Sequence, residues 1–384
     1  MIIAVDGYEA NARPRVGIGR YSFELLQAMH LIVAGKNEPG ITVRVYHPGQ
    51  LVSDMPPIHH NWQYKSRYPQ QLWTFLALPA GLNRDRPRAD IIFSPTHYAP
   101  RFTSLPKVIS IMDVSYLYFP QMFRKRDLYK LVHWTGYSVR HARAVLTISD
   151  HAKHAIIRAY GLFEKDIYVT YPGIAGISGG CMTFTEIAQK HSIPPHFILA
   201  VGTLQPRKNY VRLIAAFGNL LKNPKLKYPS IKLVIVGKRG WIYNEILSSP
   251  QKEGIADRVI FLDYVPDTEL HLLYKNALCL AMPSLYEGFG LPVLEAMSHG
   301  CPVVVSRVSS LPEIADKAGV YIDPESTDSI TRGLLKAVQE RNLIQGRNRI
   351  KAGLARSKMF TWDQAAKKTL EILESVVKKS KIKN

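Results

Sequence analysis

Two glutamates flank a glycine-rich stretch in the last third of the sequence. Glu287 precedes the stretch and Glu295 follows it, eight positions later. An ionised carboxylate accepts several hydrogen bonds and donates none, which suits the paired hydroxyl groups of a sugar. The spacing alone is common by chance, so the residues between the two glutamates decide whether it is meaningful.

Those residues predict a loop that runs into a helix. Gly288 and Gly290 remove side chains from the loop. Pro292 suits the first turn of the helix and Gly300 suits its C-terminal end. Backbone N–H groups at such a helix start can approach an anion closely. The stretch therefore predicts a site for an anionic ligand that carries sugar hydroxyls.

Two adjacent cations are placed where they could serve the same ligand. Arg207 and Lys208 follow an apolar strand, Phe197–Gly202, and open a helix predicted over Asn209–Leu221. Guanidinium and ammonium groups at such a point are well placed to bind phosphate. An exposed basic turn is the alternative interpretation of the pair.

Weaker signals occur in the first half of the chain. Gly17 and Gly19 form a G-x-G loop after the first strand, a pattern that also fits an ordinary strand–helix turn. Asp113 follows the strand Val108–Ile111, where sites in α/β proteins usually lie, but it also suits a helix N-cap or a turn. His97 follows the preceding strand and could project into the same cleft, although a lone histidine is more often structural.

These residues sit in a repeating pattern of short apolar runs and longer amphipathic runs, which predicts a mostly parallel, doubly wound sheet. The strands predicted in the first half are Ile2–Val5, Ile41–Tyr46, Asp90–Ser94, Val108–Ile111, Ala144–Ile148 and Ile167–Tyr171. Those predicted in the second half are Phe197–Gly202, Ile231–Gly237, Val259–Leu262, Ala277–Met282, Val303–Ser306 and Val320–Ile322.

A stretch rich in glycine and proline separates the two halves. With 384 residues, two domains are expected. We predict an N-terminal Rossmann-like domain over 1–172, a linker over 173–195, a C-terminal Rossmann-like domain over 196–360, and a helix over 361–384 that packs back on the N-terminal domain. A dinucleotide-dependent oxidoreductase is disfavoured because no G-x-G-x-x-G motif follows the first strand.

The composition limits the compartment and the partners. Hydrophobic residues make up 46% of the chain, which excludes wholesale disorder. Cys181, Cys279 and Cys301 are far apart and odd in number, so we expect a reducing compartment with neither disulfides nor a zinc cluster. The first strand is too short for a signal-peptide core, and the apolar run Leu72–Leu82 is shorter than the about 18 residues of a membrane span. We therefore expect a cytoplasmic protein, soluble or peripheral on the inner face of the plasma membrane.

The net charge of +20 predicts an anionic partner. The basic residues between Arg124 and Arg158, with the apolar segment Leu72–Leu76 near them in sequence, suggest a face for anionic lipid headgroups. A solvated basic face is the alternative. Nucleic acid is not expected, because no recognised binding motif is present and the charge is spread along the chain.

Six motifs, in order along the chain, resemble those of glycosyltransferase family 4, whose members are retaining enzymes. They are Gly17–Tyr21, which resembles mannosyltransferase-like members, Val201–Asn209, Val236–Trp241, Tyr264–Pro266, Pro283–Pro302 and Val308–Glu313. The resemblance implies the GT-B fold, an α/β architecture of two Rossmann-like domains whose parallel sheets face each other across a cleft. The N-terminal domain would bind the acceptor, and the C-terminal domain would bind a nucleotide diphosphate sugar.

The resemblance also implies roles for individual residues. Arg207 and Lys208 would bind the donor diphosphate, Glu295 the ribose hydroxyls, and Glu287 the donor sugar near O3 and O4. Further donor contacts would come from the Gly17–Gly19 loop, from Lys238 or Val265 near the base, and from backbone N–H groups around Phe289, Gly290 and Leu291.

One position departs from the family pattern. Many members have His-Asp after the strand that corresponds to Val108–Ile111, whereas this chain has Met112-Asp113. The family histidine contacts the donor sugar near the reacting centre, so that contact is absent here or is replaced. Asp113 is kept as a candidate catalytic residue together with Glu287, Arg207 and Lys208.

The implied reaction transfers a hexosyl unit with retention to a glycan or lipid-linked acceptor, and GDP-mannose is the preferred donor. A same-face route is favoured, in which the leaving diphosphate takes the acceptor proton and nearby cations stabilise it. No essential metal is expected, because the sequence has no Asp-x-Asp motif and Arg207 and Lys208 already supply cations for the diphosphate. No cofactor is expected. The alternatives are UDP-glucose or UDP-N-acetylglucosamine as donor, a nucleotide-sugar epimerase, and a non-catalytic nucleotide-sugar-binding protein.

Overall fold

The computed structural model describes residues 1–15, 17–35, 40–176 and 182–382. The chain divides into two compact units. The first unit contains residues 1–118, 125–175 and the chain from Phe360 onward, and the second contains residues 119–124 and 176–359.

The first unit is built on a seven-stranded sheet with the order β3-β2-β1-β4-β5-β6-β7, in which every pairing is parallel. Its strands are β1 Ile2–Asp6, β2 Thr42–His47, β3 Trp62–Ser66, β4 Ile91–Ser94, β5 Lys107–Ile111, β6 Ala144–Thr147 and β7 Ile167–Val169. Its central strands are almost wholly buried, because helices cover both faces of a parallel sheet.

The strand order reverses beside β1, which pairs with both β2 and β4. Ligands of open α/β sheets bind at such a switch point, beyond the carboxyl ends of the strands. The residues that follow β1, β4 and β5 therefore share one edge of this sheet. That edge includes Asp6, His97, Met112 and Asp113.

The helices of the first unit include both an early and a late segment of the chain. They are α1 Ile18–Gly35, α2 Ala77–Arg84, α3 Ser115–Tyr118, α4 Lys125–His141, α5 Asp150–Tyr160 and α14 Trp362–Ile382. Helix α14 packs on α1, and the rings of Tyr21 and Trp362 lie 5.7 Å apart, edge to face. The last helix therefore completes the core of the first unit.

The second unit is built on a six-stranded parallel sheet with the order β10-β9-β8-β11-β12-β13. Its strands are β8 Phe197–Val201, β9 Lys232–Val236, β10 Val259–Leu262, β11 Cys279–Met282, β12 Val303–Ser306 and β13 Gly319–Ile322. The order reverses between β8 and β11, so the loops after these two strands lie side by side.

The helices of this unit cover its sheet. They are α6 Phe184–His191, α7 Tyr210–Leu221, α8 Asn244–Lys252, α9 Asp267–Asn276, α10 Leu291–Ser298, α11 Leu311–Ala315, α12 Thr327–Glu340 and α13 Ile344–Ser357. Helix α6 lies inside the segment 173–195 that the sequence predicts as a linker, and a capping box of Thr183 and Glu186 opens it.

Residues 119–124, which lie in the N-terminal half of the sequence, pack in the second unit. The indole of Trp241 donates a hydrogen bond to the Met122 carbonyl. The ring of Phe123 lies 5.9 Å from that of Trp241, and the ring of Phe119 lies 6.1 Å from that of Tyr286. The predicted N-terminal domain over 1–172 contains residues 119–124, whereas the structure groups them with the second unit.

The described cysteines are free, and the described helices are too short or too polar to span a membrane. Cys279 and Cys301 are buried free thiols whose pKa values burial raises, and Cys181 lies outside the described residues. No helix in the part of the chain that the structure describes has the length and apolarity needed to span a membrane.

Candidate functional site

Two loops of the second unit meet at the carboxyl edge of its sheet. The Leu285 N–H donates to the Arg207 carbonyl over 2.9 Å, and Arg207 Nη1 donates to the Tyr286 carbonyl over 2.5 Å. The loop after β8 is thereby joined to the loop after β11. The structure brings together the cations and the first glutamate that the sequence singled out about 80 positions apart.

Both carboxylate oxygens of Glu287 accept hydrogen bonds from these cations. Lys208 Nζ lies 2.7 Å from Oε1, and Arg207 Nη1 lies 3.2 Å from Oε2. Glu287 is 6% exposed and Lys208 is 8% exposed, so the pair is largely removed from water. Burial raises the pKa of the Glu287 carboxyl, but Lys208 and Arg207 outweigh burial and the pKa is lowered. The carboxylate is therefore ionised at neutral pH.

The backbone before α7 holds the cations in place. Asn209 has a left-handed conformation with φ of 62°, and its Nδ2 donates to the carbonyls of Pro283 (2.9 Å) and Pro324 (2.7 Å). Gly202, with φ of +146°, runs close to Lys208, because a Cβ at Gly202 would lie 3.0 Å from the Lys208 Cε. A side chain at position 202 would displace the lysine.

The glycine-rich loop enters α10 as the sequence predicts. Gly290 has φ of +101° and precedes the first helical residue, and a Cβ there would lie 2.7 Å from Leu311 Cδ2. Ser310 Oγ donates to the carbonyls of Glu287 (3.0 Å) and Phe289 (2.9 Å). The loop is therefore held rigidly at the helix N-terminus, with Leu291 as the first residue of α10.

Glu295 lies on α10 and is 8% exposed. The hydroxyl of Tyr274 donates to its Oε2 over 2.8 Å. The Tyr274 ring stacks on that of His299, with centroids 5.8 Å apart. Nothing in the sequence points to Tyr274, because an aromatic residue on an amphipathic helix carries no signal that separates an orienting role from packing.

Lys238 and Val265 follow neighbouring strands of the same sheet. Lys238 Nζ lies 5.0 Å above the ring of Tyr264, which is 56% exposed, whereas Val265 is buried. The Leu204 N–H donates to the Lys238 carbonyl over 2.9 Å, which ties this loop to the one that carries the cations. Of the Tyr264–Pro266 motif, it is the tyrosine ring that is available for stacking.

His97, in the first unit, is a buried partner of the backbone. Its Nε2 accepts the Met112 N–H over 3.2 Å, which requires the neutral ring to carry its proton on Nδ1. Burial lowers the pKa of His97 to about 4, although Asp113 opposes the shift. Among the described residues Nδ1 has no hydrogen-bond partner. The His97 ring, which follows the neighbouring strand β4, thus holds the backbone of Met112. Position 112 is the one at which the family pattern has histidine.

Asp113 acts locally as a cap. Its Oδ1 accepts from the backbone N–H of Ser115 (2.8 Å) and from Ser115 Oγ (2.6 Å), at the start of α3. This geometry matches the capping alternative for Asp113. A catalytic role for Asp113 stays a prediction.

The Gly17–Gly19 loop leads into α1. Gly17 has φ of +53° and its carbonyl accepts the Tyr21 N–H over 3.0 Å. Before the loop, the Arg15 guanidinium donates two hydrogen bonds to the Asp54 carboxylate, from Nη1 to Oδ2 over 2.6 Å and from Nη2 to Oδ1 over 2.8 Å. Val16 lies outside the described residues.

Comparisons with known proteins agree with this fold. The family model "Glycosyl transferases group 1" matches residues 183–353. The chain is 31% identical over 378 residues to the O-antigen chain mannosyltransferase B of Escherichia coli, covering 93% of this chain and 95% of that protein. The chain therefore belongs to the group 1 glycosyltransferases.

A second mannosyltransferase and a solved structure are also similar to this chain. The O-antigen chain mannosyltransferase RfbU of Salmonella typhimurium is 27% identical over 285 residues, or 73% of this chain and 74% of that one. Sucrose-phosphate synthase from Thermosynechococcus elongatus has a TM-score of 0.71 and 17% identity, covering 98% of this chain and 99% of that structure. The prediction of a GT-B fold with two Rossmann-like domains is confirmed.

Proposed function

We propose that this glycosyltransferase moves a mannosyl unit from GDP-mannose to a hydroxyl of a glycan or lipid-linked acceptor, with retention at the anomeric carbon. The observation that carries the proposal is the contact of Arg207 and Lys208 with Glu287 at the start of α7. The contact joins two cations to a buried carboxylate, a combination that suits a diphosphate linked to a sugar. The names of the E. coli and Salmonella relatives favour mannose as the transferred sugar.

The two cations serve the diphosphate of the donor. The diphosphate of the donor carries two negative charges where the Glu287 carboxylate carries one, and Arg207 can bind two phosphate oxygens at once. As the bond from C1 of the sugar to the phosphate oxygen breaks, its electron pair remains on the diphosphate. Arg207 and Lys208 stabilise that growing charge in a site largely shielded from water.

Glu287 serves the sugar when the diphosphate draws the cations away. Its two oxygens then accept hydrogen bonds from sugar hydroxyls. Its negative charge favours a cationic sugar in the transition state. The acceptor oxygen bonds to C1 on the face that the diphosphate leaves, and its proton passes to the diphosphate. No carboxylate nucleophile takes part in this route.

The remaining groups bind the nucleoside. Glu295 accepts hydrogen bonds from the ribose hydroxyls, and Tyr274 holds the carboxylate in one orientation by its 2.8 Å hydrogen bond. The pair of Lys238 and Tyr264 offers an exposed ring with a cation beside it, which suits stacking against a base. These assignments rest on geometry within the second unit alone.

A donor screen with purified protein tests the proposal. Thermal-shift and calorimetric titrations with GDP, UDP, GDP-mannose, UDP-glucose and UDP-N-acetylglucosamine should show a preference for the guanine nucleotides. Release of labelled mannose from GDP-mannose, in the presence and absence of EDTA, should be detectable and independent of metal. Preference for a UDP-sugar would overturn the donor assignment. Donor binding without sugar release, with transfer absent for every acceptor tried, would favour a non-catalytic protein.

Retention needs a separate measurement. With an acceptor in hand, NMR of the first-formed product should show the anomeric configuration of the donor. An inverted product would overturn the same-face route without changing the donor assignment.

A further inference from the structure

The loop after β12 contributes two serines to the surroundings of Glu287. This loop carries the Val308–Glu313 motif, whose residues make none of the donor contacts proposed above. The Glu287 N–H donates to Ser309 Oγ over 2.9 Å. Ser310 Oγ donates to the Glu287 carbonyl over 3.0 Å. The two serines therefore hold both polar groups of the Glu287 backbone.

The hydroxyl group of Ser309 is fixed in one direction. Ser309 Oγ donates its proton to the Val308 carbonyl over 2.8 Å, which leaves an oxygen lone pair to accept the Glu287 N–H. Ser310 is buried, and its Oγ donates to the carbonyls of both Glu287 and Phe289. An alanine at either position could make none of these contacts, because each needs the hydroxyl oxygen or its proton.

The backbone of Ser309 has a conformation that serine seldom adopts. Its φ is +53°, in the left-handed region that favours glycine. A Cβ in this region is unfavourable, so a residue other than glycine persists there only when its surroundings hold it. Glycine would relieve the strain but has no hydroxyl to accept the Glu287 N–H. The strained serine is therefore the residue that can hold Glu287 from this position.

Two sets of contacts hold Glu287, and they come from different loops. The loop after β8 holds the carboxylate through Lys208 and Arg207. The loop after β12 holds the backbone through Ser309 and Ser310. A donor diphosphate would compete for the two cations, whereas the serines bind backbone groups of the protein itself. The contacts of the serines are therefore the ones that can hold Glu287 in place while the donor is bound.

We propose that Ser309, together with Ser310, is a positioning residue for sugar transfer. Its hydroxyl fixes the Glu287 backbone, so that the carboxylate stays directed at the donor sugar when the diphosphate engages the two cations. This inference rests on the proposed role of Glu287 in binding the sugar. Ser309 itself contacts no substrate, and the strain at position 309 serves the reaction and not the stability of the fold.

Two substitutions at position 309 separate the hydroxyl from the backbone strain. Ser309→Ala removes the hydroxyl and keeps the strain, whereas Ser309→Gly removes both. Each should lower the kcat of sugar release from GDP-mannose about three- to tenfold, as expected for the loss of one hydrogen bond, and should leave GDP affinity unchanged in calorimetric titration. Ser309→Gly should nevertheless melt at the same temperature as the unmodified chain or higher, and Ser309→Ala should melt below Ser309→Gly.

Ser192 supplies the matched control. It also has φ of +53°, at the C-terminal end of α6, and makes none of the contacts with Glu287 described above. Ser192→Ala should melt below Ser192→Gly, as at position 309, while both variants release sugar at the unmodified rate. An equal loss of release at position 192 would show that backbone strain governs turnover, and would overturn the positioning role of Ser309.

A combination with Glu287→Gln tests whether Ser309 acts through that residue. Adding Ser309→Ala to the Glu287→Gln chain should lower sugar release less than twofold further, because the carboxylate that Ser309 positions is already gone. An undiminished further loss would overturn the proposal. Normal release in both variants at position 309, with a loss in Glu287→Gln, would overturn the positioning role and leave the proposed function intact. Normal release in Glu287→Gln would overturn the role of Glu287 and, with it, that of Ser309.

Discussion

The ammonium of Lys208 lies 2.7 Å from a carboxylate oxygen of Glu287, and the two side chains come from loops after different strands of the second sheet. Because Arg207 contacts the other oxygen, two cations share one carboxylate, and the three side chains keep one net positive charge. A diphosphate that binds the cations would therefore compete with Glu287 for their N–H groups. The free energy of donor binding would include that exchange.

Replacing either cation should weaken binding of GDP. Hydrogen bonds to charged groups are worth about 1.5–3 kcal/mol, so Arg207→Ala and Lys208→Ala should each lower the affinity ten- to hundredfold in calorimetric titration. Lys222→Ala, at the C-terminal end of α7, is the matched control. Arg207→Ala is the cleaner variant, since it leaves the contact of Lys208 with Glu287 intact. Unchanged affinity in both variants would remove these residues from the site.

Replacing Glu287 should separate nucleotide binding from transfer. Glu287→Gln keeps the size of the side chain but removes the charge that competes with the diphosphate for the two cations. We expect GDP to bind as tightly as before or more tightly, while sugar release falls at least tenfold. Glu253→Gln, an exposed change in the same unit, should alter neither quantity. Normal turnover, or a loss of GDP affinity, would show that the carboxylate has been assigned the wrong role.

Glu295 and Tyr274 should act together on the nucleoside. Glu295→Gln should weaken GDP binding, because ribose is present in both donor and product. Tyr274→Phe removes one orienting hydrogen bond, worth about 0.5–1.5 kcal/mol, and should cause a smaller loss of roughly two- to tenfold. Combining the two changes should cost less than their sum, because both act through one carboxylate. The matched control is Tyr321→Phe, whose hydroxyl binds the Asp316 carbonyl elsewhere in the unit. Full additivity would contradict the coupling.

Asp6 should make stability depend on pH. Burial raises the pKa of its carboxyl to about 6, even though Trp73 and the Tyr8 N–H donate to it. The folded state therefore binds this proton more tightly than the unfolded state does. Stability is reduced above pH 6 and recovers as the pH falls from 6 towards the ordinary value of 3.8.

Denaturant unfolding of Asp6→Asn measures this contribution. At pH 8 the variant should be more stable than the unmodified chain by roughly 2–3 kcal/mol, and the difference should vanish near pH 4. Asp54→Asn should change the free energy of unfolding in the opposite direction. The hydrogen bond from Arg15 is the main cause that lowers the pKa of Asp54 to about 2, so the unmodified chain should be the more stable one at pH 7 and lose that advantage below pH 3.8. The same pH trend in both variants would contradict the assignment.

The sequence predicts most of the fold because apolar β-branched runs report buried parallel strands directly. Strand β3, Trp62–Ser66, is not predicted, because its residues are mostly polar and it lies at the sheet edge with one neighbouring strand. Its place is set by pairing with β2, which no local pattern encodes.

The site is predictable where a motif is local and not where it depends on contacts across the sheet. Glu287 and Glu295 stand within one short segment and can be recognised together. The orienting hydroxyl of Tyr274 and the support of Met112 by His97 join residues on different elements. The pairing of Arg207 and Lys208 with Glu287 likewise arises only when the strand order brings β8 beside β11.

The chain leaves the first unit at residue 175 and returns to it at Phe360. During synthesis, the ribosome must therefore make nearly all of the second unit before α14 is available to pack on α1. Domains generally fold as they emerge, starting from the N-terminus. Here the order of completion is reversed: the second unit can finish first, while the earlier half waits with the apolar side of α1 uncovered. A nascent chain interrupted just before Phe360 exposes that surface and becomes a target for chaperones, although every strand of the two described sheets has already been made.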